Sequence, residues 1–321
     1  MSARGPRPTH EIRGVIEDLR GKYIRMGRDS EFRSALDRLL KCNREGALLA
    51  DRVAFTATGE TRGIVVTDGA GGGKTSLVRH ALSNHPALRP SGSTPMPSVS
   101  ITVPSPATMK SVGGEILRAT GYPGLAKNRT AHAIWTDVAY RFRALGTAVL
   151  WIDEAHDLFP RRSSSEAPEI LKTLKSLMQG EGAVIVVLSG VEQLWSSICF
   201  DEQVKRRYRK FELPQMSSEG DRDMLWSLLG SFCECAGLEV PERRDLVERL
   251  VHAGRQRFGR CIEQMIDAIE CALCRGDRKL QLQHFADAFY AQEGCAAGEN
   301  VFVTPRWSSI DLRARAPLCT A

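Results

Sequence analysis

Apolar residues recur along the chain in two rhythms. Short runs at 64–66, 148–152 and 183–188 are rich in β-branched side chains and read as strands buried in a sheet. Val99, Ile101 and Val103 alternate with Ser and Thr, which predicts a further strand ending at Pro104. Other stretches carry the helical rhythm: Ile12, Val15, Ile16 and Leu19; then Phe32, Leu36, Leu39 and Leu40, with Asp29 or Ser30 as the expected N-cap. Leu77, Val78, Ala81 and Leu82 form a third helical face. Helices are also expected over 111–120 and 131–145, and after Pro168, where Ile170, Leu171, Leu174, Leu177 and Met178 share one side before Gly180 and Gly182.

Pro214 marks a change, because everything after it is helical. Four amphipathic helices follow, carried by Met224, Leu225, Leu228, Leu229 and Phe232; by Leu246, Val247, Leu250 and Val251, with Pro241 near the start; by Ile262, Met265, Ile266, Ile269 and Leu273; and by Leu282, Phe285, Ala288 and Phe289. Residues 1–9, 85–97 and 161–165 read as a loose arm and two loops. Residues 294–321, with Trp307, Arg313 and Arg315, read as a tail. The pattern predicts an α/β fold in four segments: a helical extension over 1–50, a sheet domain over 51–214, a helical domain over 215–292 and the tail. No internal repeat is present.

The stretch GIVVTDGAGGGKTSLVRHAL, 63–82, organises the rest. A strand, a glycine-rich loop ending in Gly73-Lys74-Thr75 and a helix follow in the order a P-loop requires. Backbone N–H groups must turn inward to hold phosphate oxygens, and side chains at the tight positions would obstruct them. Gly69, Gly71, Gly72 and Gly73 remove that obstruction, and Ala70 and Ser76 complete the cradle. The helix N-terminus adds partial positive charge. Lys74 is placed to reach the β- and γ-phosphates, and the Thr75 hydroxyl to ligate Mg²⁺. Asp68 stands where the pattern has glycine; its carboxylate either caps the loop backbone or repels the nucleotide.

A second motif, AVLWIDE at 148–154, ends an apolar run in two acids at the strand terminus, where α/β sheets place their ligands. Asp153 is expected to hold Mg²⁺ through water and Glu154 to polarise the attacking water. The continuation DEAH spells a helicase box, set aside because no second nucleotide domain follows. Ser189, just after the 183–188 run, is either placed to order the lytic water or is a plain strand-end serine. VKRRYRKFEL, 204–213, holds five basic residues within 204–210. A guanidinium reaching a neighbour's γ-phosphate accelerates phosphoryl transfer by orders of magnitude; Arg207 is the first candidate, Arg206 the second. Arg260, opening a helix, is placed to fold over a bound nucleotide.

The chain has 321 residues, 42% of them hydrophobic and 26% charged, a composition ordinary for a soluble globular protein. Its apolar runs are too short to cross a bilayer, and no secretory leader pattern opens it, so a cytoplasmic location and no membrane role are expected. Net charge is +6, which permits nucleic-acid binding without requiring it. Nine cysteines include Cys233 and Cys235 as a CxC and Cys271 and Cys274 as a CxxC. The latter lies inside a helical pattern without the turn that presents zinc ligands, so no zinc site is expected.

The two phosphate-site motifs, the polar strand end, the arginine before a boundary and the four closing helices resemble an AAA+ ATPase over about residues 50–292. That likeness implies a P-loop NTPase fold with a parallel sheet core and a C-terminal helical lid. It makes Ser189 the first sensor, Arg207 the arginine finger and Arg260 the second sensor, with ATP and Mg²⁺ as cofactors. The helical N-terminal extension, the VPSP strand end, the GGEILRATGYPG segment and IDEAHDL are similar to the TniB/TnsC family of transposon ATPases. Membership implies an ATP-dependent regulator that assembles as a ring or helical filament on double-stranded DNA. It would recruit a transposase together with a target-selection protein, and disassemble on hydrolysis. Lys110, Lys127 and Arg129, flanking the helix after the second strand, are the expected phosphate contacts on DNA. An ExeA-like ATPase acting on a protein partner would be expected to add a membrane span and wall-binding domain after the lid. A replication initiator would add a winged helix there.

Overall fold

The computed structural model describes residues 7–124, 128–159, 167–242 and 244–312. In chain order the helices are α1 (Thr9–Gly21), α2 (Gly27–Asp37), α3 (Lys74–Ser83), α4 (Met109–Ala119), α5 (Ala131–Leu145), α6 (Ala167–Leu177), α7 (Gln193–Cys199), α8 (Glu202–Lys205), α9 (Arg222–Ala236), α10 (Leu246–Ala253), α11 (Phe258–Arg275) and α12 (Leu282–Glu293). The strands are β1 (Leu40–Cys42), β2 (Leu48–Arg52), β3 (Gly63–Thr67), β4 (Ser98–Thr102), β5 (Val149–Asp153), β6 (Ile185–Gly190) and β7 (Tyr208–Glu212). The chain forms two compact units. One holds residues 25–70 and 74–213; the other holds the residues through 24, the loop tip 71–73 and those from 214 onward.

The first unit is built on a five-stranded sheet in the order β4-β5-β6-β3-β7, with every pair parallel. β3, β5 and β6 are buried at every position. Such unbroken apolar runs suit strands covered on both faces. The strand period of two sends alternate residues into two cores. Val65, Leu150, Ile152, Val186 and Leu188 pack with Ile116, Phe142 and Leu174 on one face. Ile64, Val66, Trp151, Ile185 and Val187 pack with Phe32, Leu36, Leu77 and Val78 on the other.

Three expectations change. Leu39 and Leu40 do not extend a helical face: α2 ends at Asp37, and Leu40 opens an antiparallel hairpin, β1 with β2. Asn43 directs that turn, its Oδ1 accepting from the N–H groups of Glu45 and Ala47 at 3.0 and 2.8 Å. Neither Asp29 nor Ser30 is the N-cap. Met26 holds that place, and Asp29, one turn in, accepts from the Met26 N–H at 2.8 Å. The basic stretch 204–213 contains an edge strand, β7, whose charged, exposed residues hide the apolar alternation.

In the second unit α1 lies against α9 and α11, burying Ile12, Ile16 and Leu19. All four helices expected after Pro214 are present, the second beginning at Leu246 rather than near Pro241. The expected tail is packed as far as residue 312: Val301, Phe302 and Leu312 are buried. The Phe302 ring lies 5.4 Å from Phe285 and 5.8 Å from Phe289, and Asn300 Nδ2 donates to the Ala286 carbonyl at 2.8 Å. Arg313, Arg315 and the 161–165 loop lie outside the described residues. Phe302→Ala is expected to remove about 3–5 kcal/mol from the second unit, read as a lowered urea midpoint. A change below about 0.5 kcal/mol would return the segment to a frayed tail.

Candidate nucleotide site

Parallel register brings the ends of three strands to one edge of the sheet. Val66 pairs with Ser189 and Thr67 with Gly190, while Ile152 pairs with Leu188, so the loop after β3 and the acids ending β5 flank the end of β6. This is the carboxyl edge at which open α/β sheets bind ligands. Ser189 lies inside β6 rather than after it, and is fully buried.

Asp68 caps the loop backbone. It is buried, and its Oδ1 accepts from the Gly69 N–H at 2.8 Å, while its own N–H donates to the Gly190 carbonyl at 3.3 Å. Gly71 and Gly73 have φ of +78° and +94°, conformations that side chains resist. Ala70 and Ser76 are exposed, and Gly72 is buried between its two positive-φ neighbours. Lys74 is buried, its Nζ donating to the carbonyls of Asp68 and Gly69 at 3.0 and 3.1 Å. Burial lowers its pKa, opposed by the nearby carboxylates of Glu154 and Asp153.

Asp153 is the hub. Its Oδ2 accepts from the Thr75 hydroxyl at 2.7 Å; its Oδ1 accepts from the Ser189 hydroxyl at 2.5 Å and the Glu154 N–H at 3.0 Å. Ser189 accepts in turn from Trp151 Nε1 at 2.8 Å, which fixes the serine's donor toward Asp153. A hydroxyl and a carboxylate oxygen converging at the strand end are the hard donors that Mg²⁺ takes, so Thr75 and Asp153 fit that ion. Glu154 is left-handed, φ 53° and ψ 35°, a conformation costing a non-glycine residue about 1–2 kcal/mol. Its half-exposed carboxylate stands 3.3 Å from His156 Nδ1. The sequence displayed Trp151 inside the second motif and His156 just after it, but nothing in their spacing assigned them contacts.

The two arginines before β7 make contacts of their own. Arg207 is not a reaching side chain: it is buried, paired with Glu60, and its Nη1 donates to the Gln203 carbonyl at 3.2 Å. Arg206 shares Glu60, donating to its two carboxylate oxygens at 3.0 and 2.9 Å, but its side chain is 56% exposed. Arg260 belongs to the second unit, on the first turn of α11; its backbone N–H donates to Gly71 of the loop tip at 3.1 Å. Its pKa is lowered by burial and by Arg255, with Glu293 opposing. Lys110 is exposed on the first turn of α4. Arg129 is engaged with Asp137 and, at 3.3 Å, with the Tyr122 hydroxyl; these bonds raise its pKa and lower that of Asp137. Lys127 lies outside the described residues. Cys271 and Cys274 lie on α11, and among the described residues no three metal-ligating side chains converge. No helix among them is long and apolar enough to cross a membrane.

The family described as Bacterial TniB protein matches residues 46–218, more than half of the chain. Curated proteins give no match. Among solved structures the chain is similar to the Aeropyrum pernix ORC2 protein in its ADPNP-ADP complexes, with TM-score 0.58 and 17% identity over 89% of this chain and 76% of that one. It is similar to Cdc6p from Pyrobaculum aerophilum, with TM-score 0.59 and 12% identity over 89% and 75%. Drosophila ORC bound to DNA gives TM-score 0.53 and 16% identity over 92% and 70%. At these identities the likeness carries the fold alone, which is that of AAA+ P-loop ATPases. With both phosphate-site motifs inside the matched segment, the chain belongs to the bacterial TniB family.

Proposed function

We propose that the chain is an ATP-hydrolysing switch of DNA transposition. It oligomerises on double-stranded DNA, recruits the transposase with a target-selection partner, and comes apart on hydrolysis. The observation that carries this reading is Asp153, which joins Thr75 of the phosphate loop to Ser189 and to the backbone of Glu154. Those are the parts that phosphoryl transfer to water needs: a cradle, a metal-site carboxylate and a base beside it.

Each residue has a task. Lys74, held by two loop carbonyls, exchanges them for β- and γ-phosphate oxygens, whose charge a partly desolvated ammonium binds strongly. Thr75 and Asp153 would hold Mg²⁺, which when bound offsets charge on the phosphates. Glu154 takes up a proton from the attacking water as that oxygen bonds the γ-phosphorus and the bond to the β-phosphate oxygen breaks, releasing ADP and phosphate; the buried Ser189 acts by holding Asp153 in place beside that water. Arg260 would close over the nucleotide.

The arginines of the 204–210 stretch would reach a γ-phosphate only in another copy. Gly63 pairs with Tyr208 in parallel register, so Arg206 and Arg207 lie at the amino edge of the sheet while the loop leaves its carboxyl edge. The length of β3, roughly 13 Å at 3.3 Å per step, separates the two edges. Arg206 is the exposed member of the pair, and Phe200, 88% exposed, lies between α7 and α8 in the segment leading to it. Such an exposed aromatic suits an interface. The bound DNA of the Drosophila ORC structure and the family match support the DNA part of the reading.

Duplex DNA co-sedimentation across a salt series, with and without a non-hydrolysable ATP analogue, tests the reading. Salt-sensitive, analogue-dependent binding in rings or filaments is expected, lost in Lys74→Ala and persistent with ATP in Glu154→Gln. Nucleotide-independent binding, or none, would leave an ATPase acting on a protein partner. Lys110→Ala should weaken binding to all duplex sequences alike and reduce the slope of log affinity on log salt by about 1. An unchanged slope would remove Lys110 from the DNA face.

A further inference from the structure

Glu60 enters the structure without any signal in the sequence. It precedes β3, is only 8% exposed, and its carboxylate takes both arginines of the 204–210 stretch. Both sides of this cluster are pinned by backbone. The Glu60 carbonyl accepts from the Phe55 N–H at 2.7 Å, and its N–H donates to the Thr56 hydroxyl at 3.1 Å. The Thr61 N–H donates to the Met178 carbonyl at 2.9 Å, and the Gly63 N–H to the Arg207 carbonyl at 2.8 Å. Neither the carboxylate nor the chain carrying the arginines has room to drift.

The charges do not cancel. Two guanidinium groups share one carboxylate, leaving one positive charge in excess. Arg207 is buried, with its Nε lacking a hydrogen-bond partner, so it is poorly placed to meet an outside anion. Arg206 is more than half exposed and carries the excess charge at the surface. A buried carboxylate also orients a guanidinium strongly, because paired, desolvated charges are screened little. Without the carboxylate, Arg207 would be an unpaired buried cation beside a second cation, a costly arrangement relieved only by movement of the segment.

We propose that Glu60 is the positioning residue of the arginine pair: it locks Arg207 as an internal brace and presents Arg206 to the γ-phosphate of a nucleoside triphosphate held by a second copy of the chain. This rests on the proposed hydrolytic reading and adds to it a residue that lies outside every motif and far in sequence from the arginines it holds. Glu60 touches no substrate; it acts through Arg206 and on the neighbour's site, not its own.

Trans-complementation of ATPase activity on duplex DNA tests the assignment. Arg206→Ala and Glu60→Gln are each expected to lower kcat at least ten-fold with KM unchanged, and Glu154→Gln to abolish turnover. In equal mixtures with Glu154→Gln, both arginine-side variants should rise well above the mean of the components. The Glu154→Gln copy brings an intact Glu60–Arg206 pair to a neighbour whose own water-activating site is intact. A defect that travels with the Glu60→Gln copy's own fold would not be rescued, and that result, or wild-type activity in Glu60→Gln alone, overturns the proposal while leaving the hydrolytic reading standing. Failure of the Arg206→Ala mixture to recover would likewise overturn the proposal, whereas absence of ATP turnover in the unaltered protein would overturn the hydrolytic reading itself. Should Glu60→Gln not fold, as judged by thermal melting, Glu60→Asp takes its place, with its carboxylate on a shorter stem and the same outcomes deciding.

Discussion

The site depends on one carboxylate accepting three hydrogen bonds. Asp153 ties the helix after the phosphate loop through Thr75, the central strand through Ser189, and the backbone of Glu154. A carboxylate at the end of a buried strand is costly unless its lone pairs are used, and here they are. The arrangement exists because the sheet is parallel and in register: β5 and β6 end together beside β3, so residues far apart in sequence meet at one edge. The left-handed Glu154 is the local consequence, since its N–H turns back to Asp153 directly after the strand.

The same sheet separates two kinds of chemistry. Its carboxyl edge carries the loop, the acids and the polar strand end. Its amino edge carries Glu60 and the two arginines. Because a strand cannot bend its far end back to its near end, the arginines are out of reach of their own loop. On the proposed reading, this distance makes hydrolysis a property of assembled copies and lets assembly and turnover control one another.

What the sequence disclosed was what local chemistry constrains. Gly71 and Gly73 have φ that favour glycine, and Lys74 and Thr75 follow at the only spacing that works, so the loop was legible before any fold was known. The apolar runs of β3, β5 and β6 and the rhythm of α9 to α12 were legible for the same reason. β7 was not, because an edge strand carries charges where a central strand carries valines. The hairpin of β1 and β2 was hidden by leucines whose spacing also fits a helix, and only the Asn43 turn distinguishes them. Choosing between Arg206 and Arg207 depended on Glu60, 146 positions upstream of the first. No local pattern contains that pairing.

The most direct test of the central claim, that the site is completed by a second copy, is ATPase turnover per chain as a function of protein concentration on excess duplex DNA. The account predicts a low rate per chain at dilution that climbs steeply and then levels as copies come into contact. A rate per chain that stays constant from the lowest measurable concentration, and is the same for Arg206→Ala, would contradict it: each copy would then carry a complete site.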